Sequence, residues 1–163
     1  MGTSMKSLVV YYSRTGNAKF AAETVAAELG SDIEEVVDLR KREGRLGWIS
    51  AGRDASSGKG TKIAPTKKDP KDYDLIIIGT PVWAWSPSCA IRTYIGNHDL
   101  SGKKVALFFT FDNNLRQAVE KTKALMPNSL FAGELAVKKA LENKEETENQ
   151  IATWCQTLNT TQP

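Results

Sequence analysis

Residues 75–79 (Leu-Ile-Ile-Ile-Gly) and 105–109 (Val-Ala-Leu-Phe-Phe) form two apolar runs without a single polar interruption. A strand that is wet on one side alternates apolar and polar side chains, so a strand without alternation has to be covered on both faces. Neither run comes near the roughly 20 apolar residues that a membrane helix needs. They predict the central strands of a sheet buried between two layers of helices.

The rest of the chain supplies those layers. Residues 6–12 read as another short buried strand. Ala18, Ala21, Ala22, Val25, Ala26 and Leu29 follow at helical spacing up to Gly30. Residues 33–39 are a second strand candidate and residues 73–79 a third, which ends in a loop over 80–87. A helix is expected over 88–95, ended by Gly96 and Asn97. Residues 104–111 form a fourth strand. A helix capped by Asn113 or Asn114 then carries Leu115, Ala118, Val119, Thr122, Leu125 and Met126 as far as Pro127. Residues 130–137 are a fifth strand. Asn143 with Glu146 resembles a capping box before a last helix, whose apolar stripe is Ile151, Trp154, Cys155 and Leu158. Strand and helix alternate throughout. That order predicts an α/β doubly wound, three-layer sandwich with a parallel sheet. In open sheets of this type ligands bind beyond the carboxyl ends of the strands, which directs attention to the loops after the first, third and fourth strands.

Composition narrows the classes further. The 163 residues suit one domain, with 40% hydrophobic and 25% charged residues. Residues 6–158 are expected to form that domain, with an added or disordered start over 1–5 and a tail over 159–163. No apolar stretch of signal length follows Met1, so a cytoplasmic location is expected. Cys89 and Cys155 are too few for a disulfide scaffold and, with His98 alone, make no metal site. Both thiols are expected to be buried, and His98 to lie on a surface loop. The net charge of +3 is uneven: residues 40–72 hold ten Lys/Arg against four Asp/Glu. That segment is rich in glycine and serine and has no aromatic beyond Trp48. It reads as a solvated loop rather than a nucleic-acid surface, although an anionic partner would also suit it.

Two loops could carry chemistry. Ser13, Arg14, Thr15, Gly16 and Asn17 join the first strand to a helix start at Ala18. Hydroxyls, an amide and unpaired helix N–H groups gather there, a setting that favours an anion. A plain capping turn would look the same. Neither the Gly-x-Gly-x-x-Gly pattern nor the Walker pattern is present, since Gly58-Lys59 is followed by Gly60 and follows no strand. The second loop, Thr80, Pro81, Val82, Trp83, Ala84 and Trp85, places two indoles at the end of the third strand. Such aromatics suit stacking on a flat ring, and equally suit packing on the domain's own surface.

Taken together, Tyr11-Tyr12-Ser13-Arg14-Thr15-Gly16-Asn17 and Gly79-Thr80-Pro81-Val82-Trp83 resemble the flavodoxin-like family, short-chain type. The order of elements fits it over nearly the whole chain. The resemblance implies a five-stranded parallel sheet in order 2-1-3-4-5 and FMN as the cofactor. It puts the FMN phosphate on Ser13 to Ala18 and the isoalloxazine against Thr80 to Trp85, with Trp83 the favoured stacking residue. Phe111, Asp112 and Asn113 would serve from the fourth-strand loop. The chain departs from the family in three places. Ala18 stands where many members have a threonine, the fourth-strand loop lacks a glycine and a second aromatic, and the net charge is positive where carrier flavodoxins are acidic. The resemblance implies electron transfer to or from a redox partner protein, with no catalytic side chain. An NAD(P)H-dependent oxidoreductase acting on quinones is the alternative, and a binding domain that has lost flavin is a third. No membrane span or nucleic acid is implied, and monomer and homodimer both remain open.

Overall fold

The computed structural model describes residues 5–40, 47, 49, 51, 53, 54 and 58–160. Five strands form the parallel sheet: β1 (Ser7–Tyr11), β2 (Asp32–Glu35), β3 (Leu75–Trp83), β5 (Lys104–Phe111) and β6 (Leu130–Lys138). Their spatial order is β2-β1-β3-β5-β6, which is the expected 2-1-3-4-5 winding. A two-residue strand, β4 (Ser86–Pro87), adds to the end of β3 in the antiparallel sense. Four helices complete the labelled elements: α1 (Asn17–Leu29), α2 (Cys89–Asn97), α3 (Ala118–Ala124) and α4 (Lys144–Thr160). Residues 47, 49, 51, 53 and 54 also carry helical backbone. The first residues of the presumed added start, and residues 161–163 of the presumed tail, lie outside the described residues.

Each central strand feeds two cores, as the unbroken apolar runs require. Leu8, Val10, Ile76, Ile78, Leu107 and Phe109 face one side, where Ile91 and Tyr94 of α2 and Ala118 of α3 cover them. Val9, Ile77, Ala106 and Phe108 face the other, beneath Ala21, Ala22 and Val25 of α1 and Ile151, Trp154 and Leu158 of α4. Gly79 sits where β3 passes Phe108, its partner in register on β5. A Cβ there would lie 1.9 Å from the Phe108 ring.

The ends of several elements differ from expectation. Strand β3 does not stop at Gly79 but runs on to Trp83, because β5 continues to pair with Thr80 and Pro81. Pro81 is tolerated because β1 has already ended opposite Gly79, so no neighbour there needs its missing N–H. Helix α2 is capped by Ser88, whose Oγ accepts from the Ile91 N–H at 3.3 Å, and it passes through Gly96 to end at Asn97. Helix α3 begins only at Ala118, preceded by Gln117 with no side-chain cap, so neither Asn113 nor Asn114 starts it. Before α4, the Asn143 amide faces the Lys138 and Lys139 carbonyls at 3.4 Å. His98 caps α2, with Nδ1 2.8 Å from the Tyr94 carbonyl oxygen and its ring 4.2 Å from the Tyr94 ring.

Gly79→Ala should therefore destabilise the fold by about 1–3 kcal/mol, the usual cost of overpacking. Gly96→Ala is the control. Its Cβ would meet nothing within 4 Å, and replacing a helical glycine should stabilise by about 0.5–1 kcal/mol. Urea unfolding of both variants checks the pair. A second prediction concerns alkaline pH. The Tyr73 hydroxyl donates to Asp32 Oδ2 at 2.7 Å. That hydrogen bond, then burial, pushes the phenol up from 10.0 to about 12. The folded state thus favours the protonated phenol, and this contribution is complete below pH 10 and lost as the pH rises towards 12. Tyr73→Phe should make stability fall less steeply across that window in urea titrations.

Candidate functional site

Two cavities meet at the carboxyl ends of β1, β3 and β5, sharing Val82, Trp83, Phe111 and Asp112 as walls. The narrower one, about 90 Å³, runs along Ser13, Arg14, Thr15, Asn17 and Ala18 to Pro81 and Thr110. The wider one, about 420 Å³, is bounded by Ala84, Trp85, Asn113 and Asn114, and by Ile49 and Ala51. Another cavity, about 400 Å³, lies away from this end, between residues 66–71 and 97–99.

The narrow cavity is built from the loop between β1 and α1. Gly16 precedes the helix with φ +99°, a left-handed conformation that a side chain would strain. The Gly16 N–H donates to Ser13 Oγ at 3.1 Å. The Asn17 amide N–H₂ donates to Thr15 Oγ1 at 3.1 Å, while its oxygen accepts from the Leu141 N–H at 2.9 Å. Asn17 therefore braces the loop and ties it to the segment before α4. Because Ser13 and Thr15 accept these bonds, each keeps its hydroxyl proton for another acceptor. The N–H groups of the first helical turn have no intrahelical partner and point the same way. Thr110 Oγ1 is buried and lacks a hydrogen-bond partner. An orphaned hydroxyl beside these donors suits a ligand that brings acceptor oxygens.

The wide cavity owes its shape to a two-residue hairpin. Trp83 pairs with Ser86 across β3 and β4, leaving Ala84 and Trp85 at the tip. Both have positive φ, +48° and +61°, as a type I′ turn demands. Neither is glycine, so the turn is held under strain by its surroundings. Lys121 Nζ donates to Ser86 Oγ at 3.2 Å and fastens β4 to α3. The two indoles end in different places. Trp83 is 9% exposed and meets Tyr12 edge-on, with ring centroids 5.3 Å apart. Trp85 is 44% exposed. Strand β3 carries Trp83 inward beside Tyr12, while Trp85 stays at the surface.

Of the residues singled out from the sequence, all except Gly16 and Thr80 line one of the two cavities. Thr80 turns inward, where its hydroxyl contacts Ser88 Oγ at 3.0 Å and accepts from the Ser88 N–H at 3.0 Å. Sequence reasoning did not reach Ile49 and Ala51. They lie in a stretch where the glycines argue against a regular element although residues 45–55 can be read as a short helix, and helical backbone is found at residues 47, 49, 51, 53 and 54. Cys89 and Cys155 are both buried away from the site, and burial pushes the Cys155 thiol up to about 12.

A family model described as flavodoxin matches residues 6–158. This chain belongs to the flavodoxin family. Among solved structures, it resembles a flavoprotein from Lactobacillus acidophilus NCFM, determined in complex with FMN. Identity is 25%, coverage is 85% of this chain and 97% of that one, and the TM-score is 0.72. The apo form of the flavoprotein from that organism matches at 25% identity over 87% of this chain and 98% of that one, with a TM-score of 0.63. Oxidised flavodoxin 2 from Bacillus cereus shares the fold at 21% identity, over 94% of this chain and 97% of that one, with a TM-score of 0.61. The comparison with curated proteins gives no match. For a flavodoxin, the strained turn at Ala84 is a local feature open to direct test. Ala84→Gly removes a left-handed alanine, and the gain should exceed the entropy that glycine adds to the unfolded chain, for a net stabilisation of about 0.5–1 kcal/mol. Thermal unfolding measures it.

Proposed function

We propose that this chain binds FMN and works in electron transfer. The observation that supports this best is the join between the two cavities. A narrow, donor-lined channel at the start of α1 opens into a wider space walled by Trp83, Trp85 and Phe111. FMN has the same polarity along its length, with a phosphate at one end and a flat, largely apolar ring system at the other. The unpartnered Thr110 hydroxyl between them fits the hydroxylated chain that links the two.

On this reading Ser13 and Thr15 donate to the phosphate together with the first-turn N–H groups, and Arg14 adds positive charge. Asn17 keeps the loop in shape. Val82, Trp83, Phe111 and Trp85, which wall the wide cavity, would hold the ring and exclude water from it. Bound FMN supplies the one- and two-electron chemistry, and the protein supplies binding, orientation and electrostatics. Trp85 and Ile49, both about half exposed, bring the edge of the cavity to the surface, where a partner protein could approach.

Titration of flavin-free protein with FMN and with riboflavin tests the assignment. Charge-assisted hydrogen bonds are worth about 1.5–3 kcal/mol each, so Thr15→Ala should weaken FMN about ten- to a hundred-fold and leave riboflavin nearly unchanged. Equal losses for both ligands would remove the phosphate from this loop. Anaerobic addition of NADH or NADPH then separates the roles. A carrier stays oxidised until a reductase is added, whereas direct reduction would make the protein an NAD(P)H-dependent oxidoreductase.

A further inference from the structure

One positive charge lies against the wide cavity without lining it. Arg116 sits in the loop between β5 and α3, and its guanidinium carbon is 4.4 Å from the centre of the Trp85 ring. Trp85 is itself a wall of the cavity. The arginine reaches that position with φ +44°, so backbone strain is tolerated on both sides of the contact. Both loops, the one before Arg116 through Asp112 to Asn114 and the hairpin through Trp85, wall the cavity. The cation therefore joins the two loops and holds the indole by cation–π attraction, which is stronger for tryptophan than for the other aromatics. Among the described residues that line the cavity, the acidic one is Asp112, from the same loop as Arg116.

We infer that Arg116 is a positioning residue. It clamps Trp85 at the cofactor cavity and brings a positive charge to that wall, so Arg116 shifts the site's preference towards the reduced, anionic form of its flavin. This rests on the FMN reading above. The charge of the ring becomes more negative on reduction, and a cation held at the cavity wall by Trp85 would favour that form. A charge ~10 Å away, at an effective dielectric of about 20, gives at most roughly a tenfold preference, because Arg116 is exposed and partly screened. Asp112 acts in the opposite sense. The basic residues of the chain thereby have a local consequence at the site, carried by one identified side chain instead of by the net charge.

The test compares affinities for oxidised and reduced FMN in the wild type and in Arg116→Gln, Arg116→Lys and Asp112→Asn, using potentiometry and anaerobic titration. Arg116→Gln should lose up to about tenfold more affinity for reduced than for oxidised FMN. That ratio equals a fall of about 30 mV in the two-electron potential. Arg116→Lys, which keeps the charge, should restore most of the ratio, and Asp112→Asn should move it the other way. Raising the salt to about 1 M should shrink the Arg116→Gln effect, since screening at that strength acts within about 3 Å. Equal loss of both redox forms in Arg116→Gln would overturn the inference and leave Arg116 a structural clamp only. A shift in the same direction for Arg116→Gln and Asp112→Asn would also overturn it, because loop damage rather than charge would be the cause. Failure of the wild type to bind FMN at all is a different result: it overturns the functional reading, and this inference with it. In the flavin-free protein, Arg116→Gln should also leave Trp85 more accessible to acrylamide quenching, and unchanged quenching would remove the clamp.

Discussion

The ring of Phe108 lies directly against the bare Cα of Gly79, and the working end of the molecule depends on that contact. It occurs between paired residues of two neighbouring central strands, β3 and β5. Because nothing projects from Gly79 on that face, the strands stay in register and the Phe108 side chain fills the core beneath α1 and α4. β3 can then continue past the end of β1, carrying Thr80 to Trp83 beyond the neighbouring strand. Thr80, being inside, spends its hydroxyl on the cap of α2 and so fixes the direction in which the chain leaves the sheet. A shift of one residue in this register would exchange the two faces of β3 and move every group at its end.

Beyond that anchored stretch the structure trades regularity for a cavity. The chain reverses over Ala84 and Trp85, residues ill suited to positive φ, and neighbouring groups hold it there. Lys121 fixes Ser86 on one side, and Arg116 lies over Trp85 on the other. The loop after β1 is braced in a comparable way, since Asn17 links Thr15 to the backbone of Leu141 from a distant part of the chain. Both walls of the site are thus held by side chains that reach across from other parts of the chain, Asn17 of α1 and Lys121 of α3 among them. Strain at such positions is expected where a binding surface, rather than the loop's own stability, has shaped the conformation.

Much of this was legible in the residues themselves. The unbroken apolar runs at 75–79 and 105–109 demanded cover on both faces, and the alternation of strand and helix then left a doubly wound parallel sheet as the economical arrangement. The phosphate-type loop and the Thr80 to Trp85 segment could be picked out because short motifs at strand ends occupy predictable places in such a sheet. What local reading missed were boundaries. β3 outran its apolar run because hydrogen bonds from β5 outweigh the poor strand propensity of Pro81. α3 started late because neither asparagine caps it.

Sequence alone therefore determined the layers, since burial and periodicity act along the chain, while the strand order came from the resemblance of the two loop motifs to the flavodoxin-like family. Only the tertiary structure decided which groups face the cavity. Trp83 and Trp85 are only two residues apart, yet one is packed on Tyr12 and the other is half exposed under a guanidinium. Ile49 and Ala51 reach the same cavity from a separate segment, and Arg116 reaches Trp85 from 31 residues further along the chain. Those juxtapositions depend on long-range packing and on the balance of strain between loops, which no local pattern of residue types encodes.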